Sequence, residues 1–204
     1  MLRHSILIAF GLTSSWSASA ATIDYRGYRI DTSGLAGSRR LPAIVEAVKC
    51  QVDIVESVPF PDDIRRQMRS VPIEVMPESF NGRWRDGRLK LGGKQFSDRT
   101  PVLLHEYIHV LHERVLTPDQ LRQVKTFHER ARASRAFRAD AYMLSNPNEF
   151  LAMAATTVMV GRISRPPFDR RRLAKAMPEV TPFVLATFRL PASMLKRESG
   201  RVCG

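Results

Sequence analysis

The apolar residues in the first part of the chain follow first a strand and then a helix periodicity. Aromatic or apolar side chains alternate with polar ones over residues 25–30, which predicts a single strand. From Pro42 the apolar residues recur at helical spacing as far as Val55, and Pro59 ends this predicted helix. A short helical turn is predicted over residues 62–68.

The middle of the chain has the pattern of short strands. A strand is predicted over residues 71–76, and the glycine-rich segment 81–93 that follows it is typical of a hairpin. We expect an exposed edge strand near Leu89 and Leu91. Such an edge could pair with an extended peptide.

The second half of the chain has helical periodicity. Thr100 and Pro101 form a helix-start signal, with Thr as the N-cap residue and Pro at the first helical position. A largely buried helix is predicted over residues 102–116 because its apolar residues recur at helical spacing. A polar, basic helix over residues 117–133 and an apolar helix over residues 146–160 are predicted to follow.

The first 20 residues have the pattern of a secretory signal peptide. A basic start containing Arg3 precedes an apolar run over residues 6–12, and Ala18 and Ala20 fit a cleavage site before Ala21. The apolar run is much shorter than the about 20 residues that span a membrane. We therefore expect an exported protein, periplasmic or secreted, with no transmembrane segment after signal cleavage.

The composition is that of a folded chain. Its 204 residues are 44% hydrophobic and 25% charged, which excludes a fibrous, low-complexity or wholly disordered protein. No repeat or linker divides residues 21–204, so a single α+β domain is predicted. The two cysteines, Cys50 and Cys203, are compatible with a disulfide in an oxidising compartment and equally with two unpaired thiols.

The charge of the chain favours acidic partners. Thirty-two Lys and Arg against twenty Asp and Glu give a formal net charge of +12, and residues 162–201 are especially rich in Arg. Such an Arg-rich face can bind an anionic surface or polymer. The chain contains no nucleic-acid-binding module and no aromatic residues interleaved with the basic ones, so no specific nucleic-acid binding is expected.

One motif carries chemistry. The sequence His105-Glu106-Tyr107-Ile108-His109 is an H-E-x-x-H motif inside the predicted buried helix. Two histidines four residues apart project from one helix face, where both can bind one zinc ion at about 2.0–2.1 Å. Glu106 lies beside the metal position and can accept a proton from water. Three ionisable groups are costly to bury without partners, and the apolar residues that flank the motif supply none. Metal binding therefore explains the motif better than three buried side chains without a ligand.

A catalytic zinc site needs a third protein ligand. His112 lies seven residues beyond His105, about 10.5 Å along the helix, so it cannot share their metal and is expected to pack nearby. His128 is expected to be a surface or half-buried histidine on the basic helix. Glu149 is the best candidate because it begins the other strongly apolar helix, although a Glu at this position also completes a capping box with Asn146.

The segments 105–109 and 142–152 read H-E-Y-I-H and Y-M-L-S-N-P-N-E-F-L-A, and they resemble the gluzincin metallopeptidases, most closely the lethal-factor-like branch. The resemblance covers roughly residues 100–160. It implies a zincin-like fold, with a small mixed sheet over a buried metal-binding helix and a helical lower lobe. It also implies that Tyr142, seven residues before Glu149, lies near the metal as an electrophilic partner.

These observations predict an exported zinc metallopeptidase, a hydrolase that cleaves peptide or protein substrates with one zinc ion per chain. His105, His109 and Glu149 would bind the metal, Glu106 would be the general base and Tyr142 would stabilise the oxyanion. The alternative hypothesis is an exported basic zinc-containing binding protein, an inactive zincin that binds an anionic polymer or a protein partner.

Overall fold

The protein is described by a computed structural model over residues 21–78, 80–93 and 100–196. The predicted signal peptide and Cys203 lie outside the described residues, so signal cleavage and a disulfide to Cys50 stay predictions. Within these ranges five strands and seven α-helices form a mixed α+β fold, which confirms the predicted fold class at that level. None of the helices described is long and apolar enough to cross a membrane.

Five short strands form one mixed sheet, and they are β1 (Thr22–Tyr25), β2 (Tyr28–Asp31), β3 (Ile73–Met76), β4 (Gly82–Arg85) and β5 (Arg88–Gly92). Their order across the sheet is β1-β2-β3-β5-β4. The two central pairs are parallel, and the two outer pairs are antiparallel hairpins. One face of the sheet is fully buried through Tyr28, Ile30, Ile73, Val75, Leu89 and Leu91.

The α-helices are α1 (Leu41–Ser57), α2 (Asp62–Arg69), α3 (Val102–Arg114), α4 (Pro118–Ser134), α5 (Pro147–Val160), α6 (Arg170–Ala176) and α7 (Val180–Thr187). A one-turn 3-10 helix, Tyr142–Leu144, precedes α5. α3 lies under the buried face of the sheet, where the rings of Tyr107 and Tyr28 pack at a tilt of 51° with centroids 5.8 Å apart. α3 also packs against α1 and α5, and α5 in turn contacts α4 and α7. The motif helix is therefore central to the fold.

The prediction of one strand over residues 25–30 is wrong, because the segment is the middle of a hairpin. Arg26 and Gly27 form its turn, with φ angles of 50° and 80°. Two-residue hairpin turns with positive φ at both positions match the twist of the flanking strands, and glycine adopts this conformation without strain. The alternation of apolar and polar residues continues through the turn and hides it.

The predicted edge strand at Leu89 and Leu91 is also wrong. These residues belong to β5, which lies between β3 and β4, and both side chains are fully buried. The hairpin itself is confirmed, with a turn at Asp86 and Gly87 whose φ angles are 53° and 72°. After this turn β5 runs back between β4 and β3, so β4 (Gly82–Arg85) is the edge strand of the sheet.

The prediction that Thr100 is the N-cap residue of α3 is wrong, because a residue of another helix caps the start of α3. The N-cap residue is Pro101, which has no side chain able to accept a hydrogen bond. Gln51 of α1 is fully buried, and its side-chain oxygen accepts a hydrogen bond from the Leu103 N–H at 3.1 Å. Its side-chain amide donates to the Thr100 carbonyl at 3.3 Å. Gln51 therefore supplies the cap that the local sequence lacks.

Replacing Gln51 with Leu is expected to lower the free energy of unfolding by about 1–3 kcal/mol, because the Leu103 N–H loses its buried acceptor. The measurement is urea unfolding of metal-free protein. Glu46→Gln on the same helix is the control and should stay within about 0.5 kcal/mol of wild type, since the Glu46 side chain is 71% exposed. Equal stability of the two variants would contradict the capping role.

Candidate metal centre

Two helices bring the three predicted ligands together. α3 presents His105 and His109 on one face, and the first turn of α5 places Glu149 opposite them. The Nε2 atom of His105 lies 3.1 Å from Nε2 of His109 and 3.0 Å from Oε2 of Glu149. The Nε2 atom of His109 lies 3.5 Å from Oε1 of Glu149. In the described part of the chain, these are the residues whose donor atoms converge in this way.

These three distances suit tetrahedral zinc. Ligand atoms at about 2.0–2.1 Å from a tetrahedral ion are about 3.3 Å from one another, and two imidazoles with one carboxylate are a common catalytic donor set. Oε2 of Glu149 is buried and has no hydrogen-bond partner among the described residues. That oxygen is available as a ligand, so the residues fit the metal.

The backbone and the side chain of Glu149 have separate partners. Asn146 is the N-cap residue of α5, and its side-chain oxygen accepts a hydrogen bond from the Glu149 N–H at 2.9 Å. The carboxylate does not return to the N-cap but faces the two histidines. The capping box considered from the sequence is thus only half formed, which leaves the carboxylate free for the cluster.

The charges of the three residues are coupled. Burial raises the pKa of Glu149, but the contacts and positive charge of His105 and His109 outweigh burial and hold that pKa well below its usual range. Burial lowers the pKa of His109, and the adjacent Glu149 more than reverses this, so the net shift is upward. Glu149 is therefore an anion at neutral pH, as a metal ligand must be.

Glu106 is held at the edge of the sheet. Its side chain is 5% exposed, and Oε2 accepts a hydrogen bond from the backbone N–H of Trp84 in β4 at 2.8 Å. Burial raises the pKa of Glu106 against the opposing effect of the nearby histidines. A raised pKa brings a carboxylate closer to the working range of a general base at neutral pH.

A glycine makes this approach of helix and strand possible. A Cβ atom on Gly82 would lie 2.7 Å from both Cγ and Oε1 of Glu106, closer than side-chain atoms can pack. Sequence reasoning missed Gly82 and the N–H of Trp84, because a backbone donor and a small residue on a neighbouring strand leave no motif in the sequence.

Tyr142 lies beside the cluster, in the 3-10 turn before α5. Its ring centroid is 6.2 Å from that of His105, and the residue is 43% exposed. Partial burial, followed by the charge of Glu149 and a hydrogen bond to it, raises the pKa of Tyr142 well above its usual value. The phenol therefore keeps its proton and can donate a hydrogen bond.

His128 is buried, whereas a surface or half-buried histidine was predicted. It is 6% exposed, and its Nε2 atom lies 3.0 Å from the carbonyl oxygen of Leu144, which fixes the 3-10 turn that carries Tyr142. A signal for this position was present, because Val124, His128 and Ala131 form a buried row at helical spacing on α4.

His112 takes no part in the cluster, in agreement with the distance along the helix. Burial, followed by the charge of His109, lowers the pKa of His112, so it is a neutral neighbour of the site.

The predicted Arg-rich face of residues 162–201 is partly structural. Arg170, for example, donates hydrogen bonds to the carbonyls of Val158 and Met159 at the end of α5.

No protein-family model, no curated protein and no solved structure matches the chain. The resemblance to gluzincins therefore rests on the quoted segments alone, and membership of that family stays a prediction.

Proposed function

We propose that the chain is an exported zincin-like metallopeptidase with one zinc site formed by His105, His109 and Glu149. The observation that supports this most directly is the convergence of two Nε2 atoms and a carboxylate at 3.0, 3.1 and 3.5 Å from one another. A structural zinc site usually has four protein ligands, whereas catalytic sites have three and leave one position open. A three-ligand site beside a buried glutamate supports catalysis.

The side chains around the cluster suit peptide hydrolysis. Bound zinc would polarise the scissile carbonyl and lower the pKa of water. Glu106 accepts the proton of the attacking water through the carboxylate oxygen that Trp84 leaves available, and it passes the proton to the leaving amine. Tyr142 donates a hydrogen bond to the oxyanion as it forms. An extended substrate would pair with β4, which is the edge strand nearest Glu106.

Replacing Glu149 with Ala is expected to reduce the zinc content of the purified protein from about one ion per chain to nearly none. Only two of the three protein ligands that a catalytic zinc site needs would remain, His105 and His109. Asn146→Ala is the matched control. It removes the helix cap at a cost of about 1 kcal/mol but leaves the carboxylate in place, so zinc should be retained. Metal analysis of both variants after dialysis decides the question. Full zinc in Glu149→Ala would mean that Glu149 serves only the helix.

One surface favours the alternative proposal, a basic protein that binds an anionic polymer. On the exposed face of the hairpin Arg83 lies opposite Lys90, and Arg85 lies opposite Arg88. Like charges at directly opposed positions destabilise a sheet. The carboxylate oxygens of Glu74 partly compensate this repulsion, because they lie 3.6 Å from Nη1 of Arg88 and 3.8 Å from Nζ of Lys90. Strongly salt-dependent binding of an anionic polymer, retained in Glu106→Gln, would support this alternative.

A further inference from the structure

The segment between α5 and α6, here called the α5–α6 loop (residues 161–169), folds back on itself. Arg162 and Asp169 form an antiparallel bridge at its base. Near its tip the Phe168 N–H donates a hydrogen bond to the carbonyl of Arg165 at 2.8 Å. The backbone of Arg165 is therefore held in one turn conformation.

The loop is also attached to α5. Next to its base, the guanidinium group of Arg170 donates hydrogen bonds to the carbonyls of Val158 and Met159 at 2.7 and 3.1 Å. Ile163 of the loop is buried in the core. The loop is thus anchored to the same helix that carries Glu149, which makes its position relative to the candidate site well defined.

The tip of the loop reaches the candidate site. α5 has 14 residues and is about 21 Å long, so the loop leaves it far from Glu149 at its first turn. Yet Cζ of Arg165 lies 5.6 Å from the ring centroid of Tyr142, whose ring is 6.2 Å from that of His105. The loop therefore returns along the helix and places a positive charge beside the site.

The charge of Arg165 is not paired with an acid. Among the described residues, no carboxylate oxygen lies within 4.0 Å of its guanidinium, whereas Arg130, Arg138 and Arg172 each have an acidic partner. A guanidinium group is planar and can bind a carboxylate through two parallel hydrogen bonds. Arg165 is exposed. Its loop is already folded, so fixing the backbone adds no further entropic cost to binding.

We propose that Arg165 is a specificity-determining residue that binds a carboxylate of the substrate next to the scissile bond. This inference rests on the proposed function and names its substrate class, which is peptides with Asp or Glu near the cleavage site or with a free C-terminal carboxylate there. The net charge of +12 acts in the same direction, since it attracts acidic peptides to the protein.

The test compares matched peptides that differ in one group. One pair has Glu or Gln beside the scissile bond, and a second pair has a C-terminal acid or amide at that place. We expect kcat/KM of zinc-loaded wild type to be about 10- to 100-fold higher for the carboxylate member of at least one pair, the size of a charged hydrogen bond. The pair that shows the preference identifies the source of the carboxylate.

Arg165→Gln should remove this preference by slowing only the carboxylate peptides. Arg165→Glu should reverse it, so that a peptide with Lys in place of Glu beside the scissile bond is hydrolysed faster than the Glu peptide. Arg162→Gln, in the same loop, is the control and should retain the wild-type preference. If Arg165→Gln slowed all four peptides equally, the residue would only support Tyr142 and the proposal would be overturned. Equal hydrolysis of both members of each pair by wild type would overturn it as well.

Binding separates this inference from the proposed function. Fluorescence anisotropy with labelled peptides and the Glu106→Gln variant measures affinity without turnover, and it should show the same carboxylate preference, lost on adding Arg165→Gln. If no peptide is cleaved but this Arg165-dependent binding is present, the peptidase proposal fails and the carboxylate site stands. If peptides are cleaved and bound without regard to charge, the carboxylate site fails and the peptidase proposal stands.

Discussion

Glu106→Gln is expected to lose peptide hydrolysis almost completely while keeping both the fold and the bound zinc. The amide has the shape of the carboxylate, and its oxygen can still accept the hydrogen bond from the Trp84 N–H. It cannot accept the proton of the attacking water, and general acid–base catalysis commonly contributes about 10²- to 10⁴-fold to the rate. The measurement is turnover of a mixed peptide library by wild type and variant at equal zinc content.

The control for this variant is Glu46→Gln, on α1 and exposed to solvent, which should hydrolyse the library at the wild-type rate. Equal cleavage by wild type and Glu106→Gln would indicate a contaminating peptidase or a mechanism without this base. If neither protein cleaves any peptide although zinc is bound, the binding-protein alternative becomes the better account of the site.

The parts of the site that could be predicted are those that depend on local sequence. The helix period alone places His105 and His109 on one face, and the same period excludes His112 from their metal. Asn146 and Pro147 mark the start of α5, so the position of Glu149 in its first turn also follows from neighbouring residues. What the sequence left open was whether the Glu149 carboxylate serves the cap or the cluster.

The parts that could not be predicted depend on contacts between distant segments. Gln51 caps α3 from a position 52 residues before Leu103, and a hydrogen bond of this kind has no spacing rule. The edge of the sheet depends on which way the hairpin folds, so the apolar residues Leu89 and Leu91 were assigned to the wrong place. Two apolar residues such as Leu89 and Leu91 are as compatible with a buried inner strand as with an edge strand that binds a peptide.

Arg165 shows the same limit in a functional residue. In the sequence it is one of several arginines after α5, and its neighbours Pro166 and Pro167 indicate only a break in the helix. Its position beside Tyr142 comes from the bridge at the base of the α5–α6 loop and from the return of the loop along α5. Charge counting along the chain treats Arg165 and the structural Arg170 alike, although their surroundings differ.

Tyr142→Phe is expected to lower kcat by about 10²- to 10³-fold, the usual effect of removing one oxyanion donor, with zinc content and fold unchanged. KM should change little, because the hydroxyl contributes mainly when negative charge develops in the transition state. The ring stays in place beside His105, so the variant removes a donor without opening a cavity. Steady-state kinetics on one peptide, with metal analysis of the same samples, measures both quantities.

The control for the lost hydroxyl is Tyr25→Phe, since the Tyr25 hydroxyl donates to Asp53 in another part of the fold and its removal should leave kcat at the wild-type value. An unchanged kcat in Tyr142→Phe would assign oxyanion stabilisation to another group. Loss of zinc in Tyr142→Phe would instead mean that the phenol helps to hold the cluster together. A loss in Tyr142→Phe smaller than the loss in Glu106→Gln, with zinc bound in both, is the pattern expected of a donor that assists a separate general base.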